Sequence, residues 1–156
     1  MPASRVSIDN FLRLRRIAVV GVSRNAKDFS RMLWSELSKR GYDLVPVNRN
    51  AEMIEGVPAY PDIASIEPAP EGVLLMVPAT ESLEAVRQAV RRSVKGIWFY
   101  RGAIGQGAVS REAVELAATY GCDVVPGECP FMYLPKPGAP HSWHRGFRAL
   151  IGTLAR

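Results

Sequence analysis

The chain has 156 residues, enough for one domain with a single core. Hydrophobic residues make up 47% of it and charged residues 22%, which excludes an intrinsically disordered chain. No apolar run approaches the roughly 20 residues that a membrane-spanning helix needs. The net charge of +5 suits a polyanionic small molecule; the basic residues are scattered, so a nucleic-acid surface is the minor alternative.

Ser7 is a candidate cap for a first helix running to about Leu14, with Ile8, Phe11, Leu12 and Leu14 on its apolar face. Ile17 to Val20 reads as the first strand, and Gly21 and Ser23 turn the chain. A second helix starts near Ser30 and stops at Gly41, a natural left-handed terminator. Leu44 to Val47 is the second strand. Its Pro46 has no N–H, which is awkward in a central strand and argues for a strand end or a bulge. A loop-rich stretch follows, with a short helix expected over Ile63 to Ile66. Gly72 to Val77 is the third strand. The next helix carries Leu83, Val86, Ala89 and Val90 at helical spacing. Gly96 to Tyr100 is the fourth strand, Ser110 caps a helix over Arg111 to Tyr120, and Asp123 to Val125 is the fifth strand.

The strands are apolar at consecutive positions, so both of their faces are covered. That implies a parallel sheet with helices on each side. The expected fold is a Rossmann-like, doubly wound five-stranded α/β sheet of a single domain, with strand order 3-2-1-4-5. Its crevice would lie at the C-terminal ends of strands one and four. Residues 1–134 form the expected domain. Residues 135–156 form an extension, a loop and a short amphipathic helix with Trp143, Phe147 and Leu150, packed on the domain or on a second subunit.

The loop after the first strand carries the chemistry. A strand, a small-residue turn and a helix present main-chain N–H groups to a phosphate. The full dinucleotide fingerprint is absent, because Ser23 and Ala26 stand where further glycines would be. Gly21, Val22, Ser23, Arg24, Asn25, Lys27, Ser30 and Arg31 nevertheless supply amides, hydroxyls and cations. The second strand ends in Asn48, Arg49 and Asn50, with no carboxylate to hold a ribose. That disfavours NAD and suits NADP or coenzyme A, each of which carries a further phosphate on its ribose. Residues 1–16 lack the apolar centre of a signal peptide, and two cysteines, Cys122 and Cys129, are too few for a disulfide scaffold. A cytoplasmic protein is expected, without a membrane partner. The gaps between the cysteines, His141 and His144 do not match a zinc site, so no metal is expected. Cys129 reads as a buried structural thiol and the two histidines as surface or packing residues. No triad or paired carboxylate stands out, so no catalytic residue is assigned.

Gly21-x-Ser23, Ser30, Val45-Pro46-Val47-Asn48, Gly56-x-Pro58-x-Tyr60 and Cys129-Pro130 follow one another at compatible spacing. This pattern resembles the small bacterial and archaeal CoA-binding proteins and the CoA-binding domain of the succinyl-CoA synthetase alpha subunit. It spans about Ile17 to Pro130, and Val77-Pro78-Ala79 is similar to the synthetase loop after the third strand. The resemblance implies a Rossmann-like domain holding CoA. Phosphates would lie on the first loop, the adenine end near Asn48 and Val77-Pro78, and the pantetheine arm toward Arg101-Gly102. The chain departs from the small proteins at Arg49, Asp28 and Arg101, where they usually carry proline, arginine and an uncharged residue. Lys27 and Arg31 stand close enough to take the phosphate role. The resemblance does not extend to the phosphohistidine domain of the synthetases. The expected function is binding of CoA or an acyl-CoA without catalysis, as a sensor or accessory module. The alternatives are an NADP-dependent oxidoreductase or redox sensor, and an interaction domain that has lost its ligand. A second copy of the chain and an acyl-CoA enzyme are the candidate protein partners.

Overall fold

The computed structural model describes residues 1–135. The expected C-terminal extension, with Trp143, His141 and His144, lies outside the described residues. Helix α1 (Arg5–Arg13) begins one turn earlier than the sequence suggests. Ser4 rather than Ser7 is its cap, with the Ser7 amide donating to Ser4 Oγ at 3.0 Å. Either serine can accept such a bond; the upstream one wins because Arg5 and Val6 tolerate helix.

Strand β1 (Arg16–Val20) leads into α2 (Phe29–Lys39) and then β2 (Asp43–Val47). A short hairpin, β3 (Met53–Ile54) and β4 (Val57–Pro58), precedes β5 (Gly72–Leu75). Helix α3 (Ala79–Arg91), β6 (Gly96–Tyr100), α4 (Arg111–Thr119) and β7 (Asp123–Glu128) complete the alternation. A 3-10 turn at Pro130–Met132 follows. The main sheet has five strands, all parallel, in a Rossmann-like α/β domain.

The strand order departs from the expectation. It is β2-β1-β5-β6-β7, so the five sheet strands run 2-1-3-4-5 and not 3-2-1-4-5. The third strand pairs directly with β1, in the register Ile17↔Gly72 to Val20↔Leu75. Pro46 supplies the physical reason. Its carbonyl faces outward and accepts from the Tyr60 amide at 2.9 Å, so its ring nitrogen faces outward too. On that edge a missing N–H breaks no rung of the sheet. Between two strands it would leave a neighbouring carbonyl unpaired, at a cost of about 1–3 kcal/mol. The point where the order reverses therefore lies between β1 and β5, not between strands one and four.

A second correction concerns Ile63 to Ile66, which form a bend and a turn rather than a helix. Four residues are too few to offset helix nucleation, and Asp62 turns the chain by accepting from the Ser65 amide at 2.9 Å. Ile63 and Ile66 still plug the sheet, and the Ile63 amide donates to Gln88 Oε1 on α3.

Helices α1 and α2 cover one face of the sheet, burying Ile8, Phe11, Leu33, Trp34 and Leu37. Phe11 meets Trp98 edge to face at 5.4 Å. A Cβ on Gly72 would stand 2.7 Å from the end of the Leu14 side chain and 3.1 Å from Phe11, so the bare strand position gives these side chains room to pack on the sheet. Helices α3 and α4 cover the other face with Val86, Ala89, Ala113 and Ala117. Burial of each large apolar side chain contributes about 1.5–3 kcal/mol. The loops at the C-terminal ends of β1, β2, β5 and β6 fall along one edge.

Candidate nucleotide crevice

The last rung at the end of β1 is the Gly21 amide, which donates to Val47 O at 3.1 Å. Gly21 has φ +89°, and a Cβ there would lie 2.8 Å from Met76 O. Its amide is thus part of the sheet. Val22 is fully buried, and its carbonyl accepts from Asn48 Nδ2 at 2.9 Å. Asn48 Oδ1 in turn accepts from the Asn50 amide at 2.8 Å. Asn48 therefore locks the end of β2 to the loop after β1, a stronger structural role than turning the chain.

Beyond Val22 the loop is built from its own polar groups. The Ser23 amide donates to Ser30 Oγ at 2.9 Å, the Asn25 amide to Ser23 Oγ at 3.0 Å, and the Lys27 amide to Asn25 Oδ1 at 3.0 Å. Asp28 caps α2, accepting from both the amide and the hydroxyl of Ser30. A carboxylate already occupies the place where the helix dipole would favour an anion. Among the described residues the amides of Val22, Arg24 and Ala26 meet no acceptor; Val22 is buried, whereas Arg24 and Ala26 are exposed, as is the side chain of Lys27. Arg31 is turned inward, onto the carbonyls of Ser23 and Arg24 and the carboxylate of Glu55.

Beside this loop a hollow of about 260 Å³ opens where the strand order reverses. Gly21, Asn48, Arg49, Val77 and Pro78 all line it. It runs into a second hollow of about 280 Å³, which reaches Asp62, Thr80, Glu84 and Gln88. Helix α3 begins here at Pro78 with no side-chain cap. Its N-terminus is accordingly the open one, whereas that of α2 is closed by Asp28. Arg49 and Glu81 face each other at 3.6 Å across the opening; both are largely exposed, so the pair contributes little stability.

Sequence reasoning missed Pro61 and Glu81, which also line the hollow. Glu81 had a signal, an acid in the first turn of a helix that follows proline. Pro61 had one in the neighbouring Tyr60, whose amide and carbonyl add a bridge to the outer edge of β2. Arg101 and Gly102 line neither hollow. They lie farther along the same edge, after β6, where the Arg101 amide donates to Glu128 O at 3.4 Å.

Tyr100 stacks on Phe29 with ring centroids 5.3 Å apart, which joins the loop after β6 to the start of α2. Burial, then the nearby Cys129 and Asp28, push the Tyr100 phenol up to about 12. Cys129 is buried. Among the described residues no group of three His, Cys, Asp or Glu side chains is placed to hold a metal, and no helix is long and apolar enough to cross a membrane.

Known proteins share this fold and part of its sequence. The chain is 26% identical over 128 residues to the alpha subunit of ADP-forming acetate–CoA ligase II of Pyrococcus furiosus. That match covers 78% of the chain and 28% of the ligase subunit, so the chain spans less than a third of that relative. It is 27% identical to the Bacillus subtilis protein YneT, covering 81% of the chain and 90% of YneT. A solved hypothetical protein from Pyrococcus horikoshii superposes with a TM-score of 0.75 at 29% identity, covering 83% of this chain and 91% of that one. The CoA binding domain family matches residues 15–135, the sheet and all the loops at the C-terminal ends of its strands, and the chain belongs to that family.

Proposed function

We propose that the protein binds coenzyme A or an acyl-CoA along the C-terminal edge of its sheet, without catalysis of its own, as a sensor or accessory module. One observation carries the reading. Loops from β1, β2 and β5 bring Gly21, Asn48, Arg49, Val77 and Pro78 around one hollow at the reversal of strand order. This is where open α/β sheets take their nucleotides. The adenosine end fits the hollow between Asn48 and Val77-Pro78. The outward amides of Arg24 and Ala26, with the Arg24 and Lys27 cations, form the phosphate side. From β2 to β6 the edge crosses three strand spacings, about 14 Å, which suits an extended ligand whose far arm reaches Arg101-Gly102. NADP, also admitted by Asn48-Arg49-Asn50, is not favoured by the family match.

The ligase relative carries this domain as a fraction of a longer chain. An acyl-CoA enzyme is the partner this suggests; a second copy of the chain is the alternative.

Calorimetric titration of the full chain with CoA, acetyl-CoA, 3′-dephospho-CoA and NADP tests the reading. CoA should bind tightest. Loss of the 3′-phosphate should weaken it about tenfold, the worth of one charge-assisted contact. Replacing Arg24 and Lys27 together by Ala should lower CoA affinity at least as much with an unchanged melting temperature. No heat with CoA, or tighter binding of NADP, would overturn the reading.

A further inference from the structure

Arg31 is the most enclosed cation of the ligand edge, with 11% of its side chain exposed. Its Nη1 donates to Ser23 O at 3.2 Å and to Arg24 O at 3.1 Å, and its Nη2 pairs with the Glu55 carboxylate. Glu55 comes from the tip of the β3–β4 hairpin. Glu55 and Gly56 have φ +50° and +76°, the backbone of a two-residue hairpin turn. The hairpin is anchored in turn, because Tyr60, just beyond it, bridges to Val47 of β2.

A trans peptide points its carbonyl oxygen and the next N–H in opposite directions. With Ser23 O drawn onto Arg31, the Arg24 N–H must face away from it, and it is one of the amides left without an acceptor. The guanidinium that gathers the carbonyl thereby presents the donor. Glu55 already meets the charge of Arg31 itself.

We propose that Arg31 is a positioning residue for the ligand's phosphates: held by Glu55 of the hairpin, it orients the Arg24 peptide and does not touch the ligand. This rests on the CoA reading above. It makes a prediction opposite in sign to simple electrostatics. A carboxylate near a phosphate site repels the anion, so removing the Glu55 charge should tighten binding if charge alone matters. If Glu55 holds the clamp, removal weakens binding.

The test uses the full chain with two probes, CoA and inorganic pyrophosphate, followed by calorimetry and by the amide resonances of Arg24 and Ala26. In the wild type both probes should bind and shift those resonances. Glu55→Gln and Glu55→Asn, the latter suited to a left-handed backbone, should lower affinity for both probes about five- to tenfold. Arg31→Lys keeps the charge but loses the planar fork, and should cost as much. Combining it with Glu55→Asn should cost no more than Arg31→Lys alone. Adenosine, which has no phosphate, should bind all variants equally, a result general unfolding would not give. Unchanged or tighter pyrophosphate binding in the Glu55 variants, or full affinity in Arg31→Lys, would overturn the proposal. A wild type that binds pyrophosphate but not CoA would overturn the CoA reading, while the Glu55 series with pyrophosphate still decides the clamp.

Discussion

Gly21 sits under two constraints at once, a left-handed backbone and the main chain of Met76 pressed against it. Gly21→Ala should therefore cost about 2–4 kcal/mol, part backbone strain and part overpacking, read as a lower urea midpoint. Parity with the wild type would mean that the β1 and β5 loops do not meet there. Tyr100 offers a test in pH. Its phenol is pushed up to about 12 in the folded state by burial, from a usual value near 10. The folded protein then holds the proton that the unfolded chain releases. The stabilisation is fully present below pH 10 and lost as pH rises toward 12. Tyr100→Phe keeps the ring on Phe29 and should flatten the fall of the denaturation midpoint between pH 9.5 and 11. An unchanged slope would assign that fall to other groups, Tyr42 among them, whose phenol burial also raises. At this scale the sequence was legible where a residue acts alone: Arg24 and Lys27 are outward cations, as their loop position suggests. It was not legible where two groups compete for one role. Asp28 and Ser30 are both good caps, and Asp28 takes the end of α2 because the Ser30 hydroxyl is also needed by the Ser23 amide.

Elements were easier to place than to order. Continuous apolar runs marked all five strands of the sheet to within a few residues, since a strand covered on both faces needs no polar side. Their order is set by pairing across the chain, which periodicity does not encode. One residue did encode it: the proline that sits awkwardly in a central strand is at ease in β2 because β2 is an edge. Pro46→Val should then change stability by less than about 1 kcal/mol, while Val19→Pro in the adjacent β1, paired on both sides, should abolish the cooperative unfolding transition. Comparable damage from both would contradict the edge assignment. The β3–β4 hairpin went unread because each strand is two residues long, too short to show alternation.

For the whole molecule, the hollow that matters is not chosen by size. One of about 460 Å³ lies at the opposite edge, among Arg13, Arg15, Arg40 and Tyr42, where the Tyr42 hydroxyl donates to Leu12 O at 2.6 Å. The smaller ligand-edge hollow is the better candidate because parallel strands send every βα loop, and the start of every following helix, to that edge. Binding there should couple to global stability, since the crevice exists only when β1, β2 and β5 are assembled. At a CoA concentration 100 times Kd, linkage contributes about 2.7 kcal/mol, a rise in melting temperature of about 5–10 °C for a chain of this size. The contacts assigned to Arg24 and Lys27 are exposed, so salt should screen them. Raising sodium chloride from about 0.05 to 0.5 M should shrink the CoA-induced rise at fixed ligand, while any rise given by adenosine stays constant. A CoA effect that ignores salt would place the phosphates away from those cations, and with them the loop after β1 would lose its part in binding.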